Sequence, residues 1–255
     1  MPSQPRYPYR VRNELRLREL TVLDTQPVTA TFRRITLGGE ALTGFSSAGF
    51  ADHCKLFFAP TDSPLAIPEM TGQGAAWPGG VKPPSRDYTP LYDAQRQTLT
   101  FDFYLHDGGI ASQWAMGAHI GDTLLVGGPR GSTVFPEEYP WQLYVTDESG
   151  LPALRRRLED LRQGDCTPQI TALIVLNNVE DQAYLAGFED ANIEWFSHQS
   201  GDALDARLQQ IEVPEQGYFI WITGEGTRTR HYARHFDSCA IDPQLCHVSA
   251  YWHRK

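Results

Sequence analysis

The 255-residue sequence has few cysteines, and its four (Cys54, Cys166, Cys239 and Cys246) include no pair at C-x-x-C spacing. A zinc ribbon or a dithiol redox site needs that spacing, so neither is expected, and scattered cysteines read as reduced thiols. Nor is there a run of about eighteen apolar residues, which a membrane helix requires. The opening "MPSQPRYPYRVRNELRLREL" is rich in arginine but has no apolar core, so it does not read as a secretory signal. Basic residues are outnumbered, 22 against 31 acidic, for a formal charge of −9. Nucleic-acid binding wants a basic surface and is not expected. The G-x-G-x-x-G dinucleotide fingerprint is absent as well. What remains is a cytoplasmic, globular chain. Its 41% hydrophobic content, with 6 Trp, 11 Tyr and 12 Phe, suffices for the buried cores of two domains. No coiled-coil or other apolar seam is apparent, so a monomer is expected.

The two halves follow different patterns. Residues 15–26, 31–39 and 54–60 are short and β-biased, and "QTLTFDFYLH" (97–106) alternates cleanly. Leu99, Phe101, Phe103 and Leu105 share one face of it, with Asp102 and its polar neighbours on the other. Short strands punctuated by Gly and Pro predict an antiparallel β-barrel over 1–138. Residues 61–85, with five prolines and four glycines, read as one long loop. After "FPEEYP" (135–140) strands alternate with helices. "WQLYVTDE", "ITALIVLNN", "IEWFSH", "GYFIWITGE" and "CHVSAYW" are the strands. Helices are expected at "LPALRRRLEDL", around Gln182–Phe188, around Leu204–Ile211 and over Thr227–Phe236. In the first of these, leucines line one face and arginines the other. That order predicts an α/β domain with a parallel doubly wound sheet over 139–255.

Three places could carry chemistry. "SRDYTP" sets Arg86, Tyr88 and Thr89 side by side, offering a cation, an aromatic face and a hydroxyl; a plain β-segment also accounts for them. "HDGGIASQWAMGA" (106–118) brings Gly108 and Gly109 to a helix start, where free N–H groups favour a phosphate, unless the glycines simply turn the chain into a core helix. Together these could hold the two ends of a flavin nucleotide. In the second half, ligands should sit at the strands' carboxyl ends: "TDESG", "NN", "SHQ" and "TGEG".

"SRDYTPLYD", "DFYLHDGGIASQWAMGAHIGDTLLVGGPRGS", "DESGLPALRRRLE" and "WITGEGTRTRHYARHF" resemble the siderophore-interacting protein family over nearly the whole chain. These are FAD-dependent ferric-siderophore reductases of the ferredoxin-reductase superfamily, and the likeness is greatest to the NADPH-dependent ferric-chelate reductases. The resemblance implies that Arg86, Tyr88 and Thr89 form the flavin motif R-x-Y-T, with Tyr88 and Thr89 beside the reacting ring. It implies that His106, Gly109, Ala111, Ser112 and Trp114 wrap the FAD phosphates and adenosine side. Asp147, Glu148 and Pro152 match the first βα turn of the NADPH-binding domain, and Gly224 and Glu225 its last. Arg228 and Arg230 are candidates for the 2′-phosphate, which needs cations. The chain departs from the family at Leu91, where many members carry a second arginine, and at Gly109-Ile110-Ala111, often G-P-A.

The implied activity is transfer of electrons from NADPH through FAD to Fe(III) in a siderophore or other ferric chelate. Reduction is release, because Fe(II) binds hard anionic oxygens far less tightly. An anionic chelate wants local cations; Lys55 and Arg130 are candidates, joined by Arg254 and Lys255 if the tail folds back. Tyr251 and Trp252 either cover a cofactor or pack the last strand. No metal-ligand cluster is expected of the protein: His231 and His235 have i, i+4 spacing but lack the Glu of H-E-x-x-H, and read as an exposed pair. Two other functions remain open. One is a general NAD(P)H-flavin reductase feeding a ferredoxin. The other is a non-catalytic siderophore-binding module.

Overall fold

Alternation builds the first half of the chain. In "TLTFDFY" every second residue is apolar, and Leu99, Phe101 and Phe103 are wholly buried along one face. The computed structural model of the chain describes residues 7–59, 67–71, 74–199, 201–237, 239 and 241–254. They divide into two units, one of Val11–Ser132 and one of Thr133–Lys255 with the segment up to Arg10.

In chain order the elements up to the division are β1 (Tyr9–Arg12), β2 (Leu17–Pro27), β3 (Phe32–Gly38), β4 (Cys54–Phe57), β5 (Glu69–Thr71), β6 (Gly74–Ala76), β7 (Ser85–Tyr88), β8 (Leu91–Asp93), β9 (Thr98–Tyr104), α1 (Ile110–Gly117), β10 (Thr123–Gly127) and β11 (Gly131–Val134). Seven of the strands form one antiparallel sheet in the order β7-β4-β10-β2-β3-β9-β8. The sheet curls around Leu20, Ile35, Leu37, Leu56, Phe101 and Val126. Tyr88 on the edge strand β7 brings its ring centroid within 4.5 Å of that of Phe103 on β9, near the far edge. The half-barrel thus closes by aromatic packing, not by a complete ring of hydrogen bonds.

Two expectations change here. Asp102 is not on a solvated face: it is 2% exposed and accepts two hydrogen bonds from Arg34 of β3, at 2.8 and 2.7 Å. The register sets Arg34 opposite Asp102, which is why a carboxylate tolerates burial there. The stretch read as one long loop carries the β5–β6 hairpin and a 3-10 turn at Pro78–Gly80. Residues 61–66 and 72–73 of it lie outside the described residues.

Beyond the division, β12 (Trp141–Asp147), α2 (Leu151–Gln163), β13 (Gln169–Leu176), β14 (Asn192–Ser197), α3 (Gly201–Leu208), β15 (Tyr218–Glu225), α4 (Gly226–Ala233) and β16 (Cys246–Trp252) alternate. The five strands are parallel, in the order β14-β13-β12-β15-β16. Every residue of β15 is buried, as expected of a central strand covered on both faces. The chain order along the sheet reverses between β12 and β15, so the ligand-binding crevice of such a fold lies at their carboxyl ends, Asp147 and Glu225.

In α2 the leucine stripe is buried as its spacing predicts, but Arg157 is buried with it. Its guanidinium donates to Tyr144 Oη, to the carbonyls of Phe135 and Pro136, and to Gln142 Oε1, so the charge is held inside by four acceptors. The helix expected around Gln182–Phe188 is instead a 3-10 turn, Val179–Leu185, that ends where Ala186 turns to extended ψ.

Candidate functional site

In the first unit, alternation along β7 puts Arg86 and Tyr88 on one face and Asp87 on the other. Asp87 pairs with Lys55 of β4, whose Nζ lies 2.7 and 2.9 Å from the two carboxylate oxygens. Lys55 is therefore already paired with a carboxylate of its own sheet. Arg86 is exposed, and the hydrogen bond seen for its side chain runs from Nη1 to the Ser85 carbonyl at 2.8 Å. A guanidinium steadied by a carbonyl keeps its full charge for an outside anion. Tyr88 is half-buried against Phe103, and burial raises its phenol well above the usual value while Arg86 opposes the rise, so the ring stays neutral. Thr89 is buried beside it.

The start of α1 carries no side-chain cap, leaving its first N–H groups for another acceptor. Gly108 has φ +74°, and a Cβ at Gly109 would come within 2.5 Å of the His106 ring. Glycines here let the backbone and the exposed His106 come together. Ser112 and Ala111 are buried, and the Ser112 hydroxyl accepts from His106 N and donates to the Tyr104 carbonyl. Trp114 packs on Phe58 and Phe103, at 5.8 and 5.6 Å between centroids. These side chains hold the turn's shape, while the His106 ring stays exposed and the start of α1 carries no side-chain cap.

In the second unit both acidic strand ends close their own turns. Asp147 Oδ1 accepts from the amide of Ser149 at 2.9 Å. Its Oδ2 accepts from Glu225 N and from Trp252 Nε1, each at 2.9 Å. Burial raises the Asp147 carboxyl, against the hydrogen bonds from Ser149 and Trp252. Gly224 has φ +134°, and a Cβ there would stand 2.5 Å from Asp147 Oδ2, so only glycine fits. Glu225 caps α4, accepting from Thr227 N and Arg228 N at 2.8 and 2.9 Å. Burial pushes its pKa up, but the amides of Arg228, Arg254 and Thr227 outweigh it and leave the group below the ordinary range. The N-terminus of α4, which follows one of the strand ends where a ligand was expected, is thus occupied by the protein's own carboxylate. Trp252 is tied to Asp147, and Tyr251 lies edge-on to Trp221 at 6.1 Å. Pro152 opens α2 and is buried.

Glu148 is buried and accepts from the amide of Asn177; its Oε2 meets His198 Nε2 at 3.1 Å. Arg228 donates from Nη1 to His198 Nδ1 at 2.6 Å. Sequence reasoning missed His198, whose sole signal was its place in "SHQ" just past β14. Arg228 and the exposed Arg230 line a groove of about 430 Å³ with Arg234, Thr227 and Asp205. Arg130 is exposed in the turn before β11, and Arg254 gives its amide to Glu225 Oε1 at 3.4 Å. Lys255 lies outside the described residues. His231 and His235 are not an independent pair, because Asp205 joins them.

The siderophore-interacting FAD-binding domain family matches residues 21–133, and the siderophore-interacting protein family matches 139–255. An NADPH-dependent ferric-chelate reductase of Escherichia coli (strain K12) is 54% identical over 255 residues, 100% of both chains. A ferric vibriobactin reductase of Vibrio cholerae is 30% identical over 206 residues, 78% of this chain and 74% of the relative. Among solved structures, a siderophore utilization protein from T. fusca superposes with a TM-score of 0.85 at 30% identity, covering 97% of this chain and 96% of its own.

Proposed function

The chain belongs to the siderophore-interacting protein family, and from that premise we propose that it is an NADPH-dependent ferric-chelate reductase. Electrons pass from NADPH through FAD to Fe(III) in a siderophore or related chelate, and Fe(II) is released. One observation carries the reading: a single chain joins an exposed arginine, hydrogen-bonded to a carbonyl, beside a half-buried tyrosine to a parallel-sheet switch point bearing further arginines.

The residues fit a flavin dinucleotide. Arg86 supplies a cation for the pyrophosphate, and the uncapped start of α1 supplies N–H groups for phosphate oxygens. Tyr88 offers a neutral aromatic face and Thr89 a hydroxyl. His106 and Gly109 shape the turn that admits the ligand to the backbone, with Ala111, Ser112 and Trp114 bracing it. FAD held by these residues would supply the conversion of a two-electron hydride into single electrons, which a one-electron ferric acceptor needs.

For NADPH, Asp147, Glu148, Gly224 and Glu225 fix the two turns at the switch point, and Arg228 with Arg230 receives the 2′-phosphate. Glu148 acts through His198, which holds Arg228 in place. For the chelate, Arg130 is the stronger docking cation, since Lys55 must first be shared with Asp87. The iron stays in its chelator. All four cysteines are free, and among the described residues no helix is long and apolar enough to cross a membrane. Both support a cytoplasmic protein, which we take to be a monomer that binds no nucleic acid.

The test is the visible spectrum of the purified protein under anaerobic conditions. The flavin band should bleach with NADPH and return on adding a ferric catecholate or ferric citrate. A band that ferric chelates restore no faster than a ferredoxin does would favour a general flavin reductase. A protein that takes up no FAD overturns the reading.

A further inference from the structure

Asp205 of α3 gathers two histidines onto one oxygen. His231 Nε2 lies 2.8 Å and His235 Nε2 3.0 Å from Asp205 Oδ1. His231 is near the end of α4, and His235 lies in the 3-10 turn Arg234–Phe236 that continues it. Four residues apart, they project from the same side of the helical run. Their ring centroids are 5.8 Å apart with planes at 83°, so the two Nε2 atoms converge without the rings stacking. The three candidate ligand atoms all lie within 4.8 Å of one another. We propose that Asp205, His231 and His235 form a binding site for one divalent transition-metal ion of the zinc class.

The chemistry matches the geometry. Two imidazoles and a carboxylate are a ligand set for zinc and its neighbours in the first transition row, whereas magnesium and calcium prefer oxygen alone. Zinc bonds of about 2.0–2.2 Å in tetrahedral geometry place ligand atoms roughly 3.3 Å apart. The two Asp205–histidine separations therefore have to open by only about half an ångström or less to admit an ion, while the two imidazole nitrogens, within 4.8 Å of each other, settle at the same spacing. In the ion-free protein each Nε2 carries the proton it gives to Asp205; on binding, the metal takes that place and each neutral ring keeps its proton on Nδ1. The His231 side chain is 51% exposed, which leaves the outer coordination positions to water.

Charge sets the strength. The chain as a whole is acidic, at −9, which favours a cation. Arg228, Arg230 and Arg234 line the same groove and oppose one. With three protein ligands instead of four, such a site binds more weakly than a structural zinc centre. If the cluster only pinned α4 to α3, the same two hydrogen bonds would be present and no ion would bind.

Calorimetric titration of zinc chloride into chelator-treated, FAD-loaded protein tests this. Cys239 is exposed, with Sγ 4.0 Å from the His235 carbonyl, so the titration is done on the Cys239→Ser variant to remove a competing thiol. One ion per chain is expected, with about ten-fold or greater weakening in His231→Ala and in His235→Ala, and no binding of magnesium. Zinc binding unchanged in the His231→Ala/His235→Ala double variant overturns the proposal, as does no binding to the Cys239→Ser protein. A measurement that needs no ligand variant is the imidazole nitrogen NMR spectrum of the Cys239→Ser protein. Zinc should move the Nε2 resonances of two histidines, and a spectrum that zinc leaves unmoved also overturns it.

Discussion

Arg228 Nη1 lies 2.6 Å from His198 Nδ1, and because a guanidinium only donates, that ring nitrogen accepts. The ring proton is then on Nε2, toward Glu148 Oε2 at 3.1 Å. Three residues, from the turn after β12, the turn after β14 and the start of α4, thus form a line that ends in a guanidinium at the groove. Removing His198 frees Arg228 without removing its charge. His198→Ala should raise KM for NADPH about three- to ten-fold and Arg228→Ala about ten-fold or more, with kcat little changed. The double variant should match Arg228→Ala, because His198 acts through it. Steady-state kinetics with NADPH and NADH check this; an equal loss with NADH would move Arg228 away from the 2′-phosphate.

Arg86 and Lys55 sit on neighbouring strands with opposite electrostatic fates. Lys55 is held by Asp87, and among the described residues Arg86 is held by a carbonyl. Arg86→Ala should therefore loosen FAD by about ten-fold or more, while Lys55→Ala keeps its flavin. Fluorescence of flavin released on dilution measures both, and full flavin retention in Arg86→Ala would remove it from the site.

Gly224 and Gly187 separate steric from conformational strain. Both have positive φ, +134° and +93°, but a Cβ at Gly224 meets the Asp147 carboxylate and one at Gly187 meets nothing within 4 Å. Gly187→Ala should cost about 1–2 kcal/mol of stability, and Gly224→Ala about 2–4 kcal/mol, since it also displaces a buried, hydrogen-bonded carboxylate. Denaturant unfolding of the two variants gives the comparison; equal losses would mean that Asp147 yields freely.

Much of this architecture was legible in the residues themselves. Period-two alternation located β9, the leucine stripe located α2, and runs of apolar residues located the central strands of the parallel sheet. What escaped was polar burial. Asp102 and Arg157 look like surface residues, and only register with Arg34, or four acceptors brought in from distant segments, makes their burial tolerable. The candidate site followed the same division. Arg86, Tyr88 and the glycines at 108 and 109 announced themselves by local chemistry. His198 and Asp205 could not, because each matters through partners on other elements. The carboxylates of Asp147 and Glu225 stand at strand ends, as the sequence indicates, and only the structure shows that the protein's own donors occupy them.

The carboxylate of Asp147 also imposes a timetable on synthesis. Its donors arrive two, 78 and 105 residues after it: first Ser149, then Glu225, and last Trp252 of β16. A ribosome makes β16 after every other strand of that sheet, so a nascent chain lacks the Trp252 donor of this acid until then. The strand ends of this sheet are thus completed late, and a half-made chain lacks the finished crevice at Asp147 and Glu225.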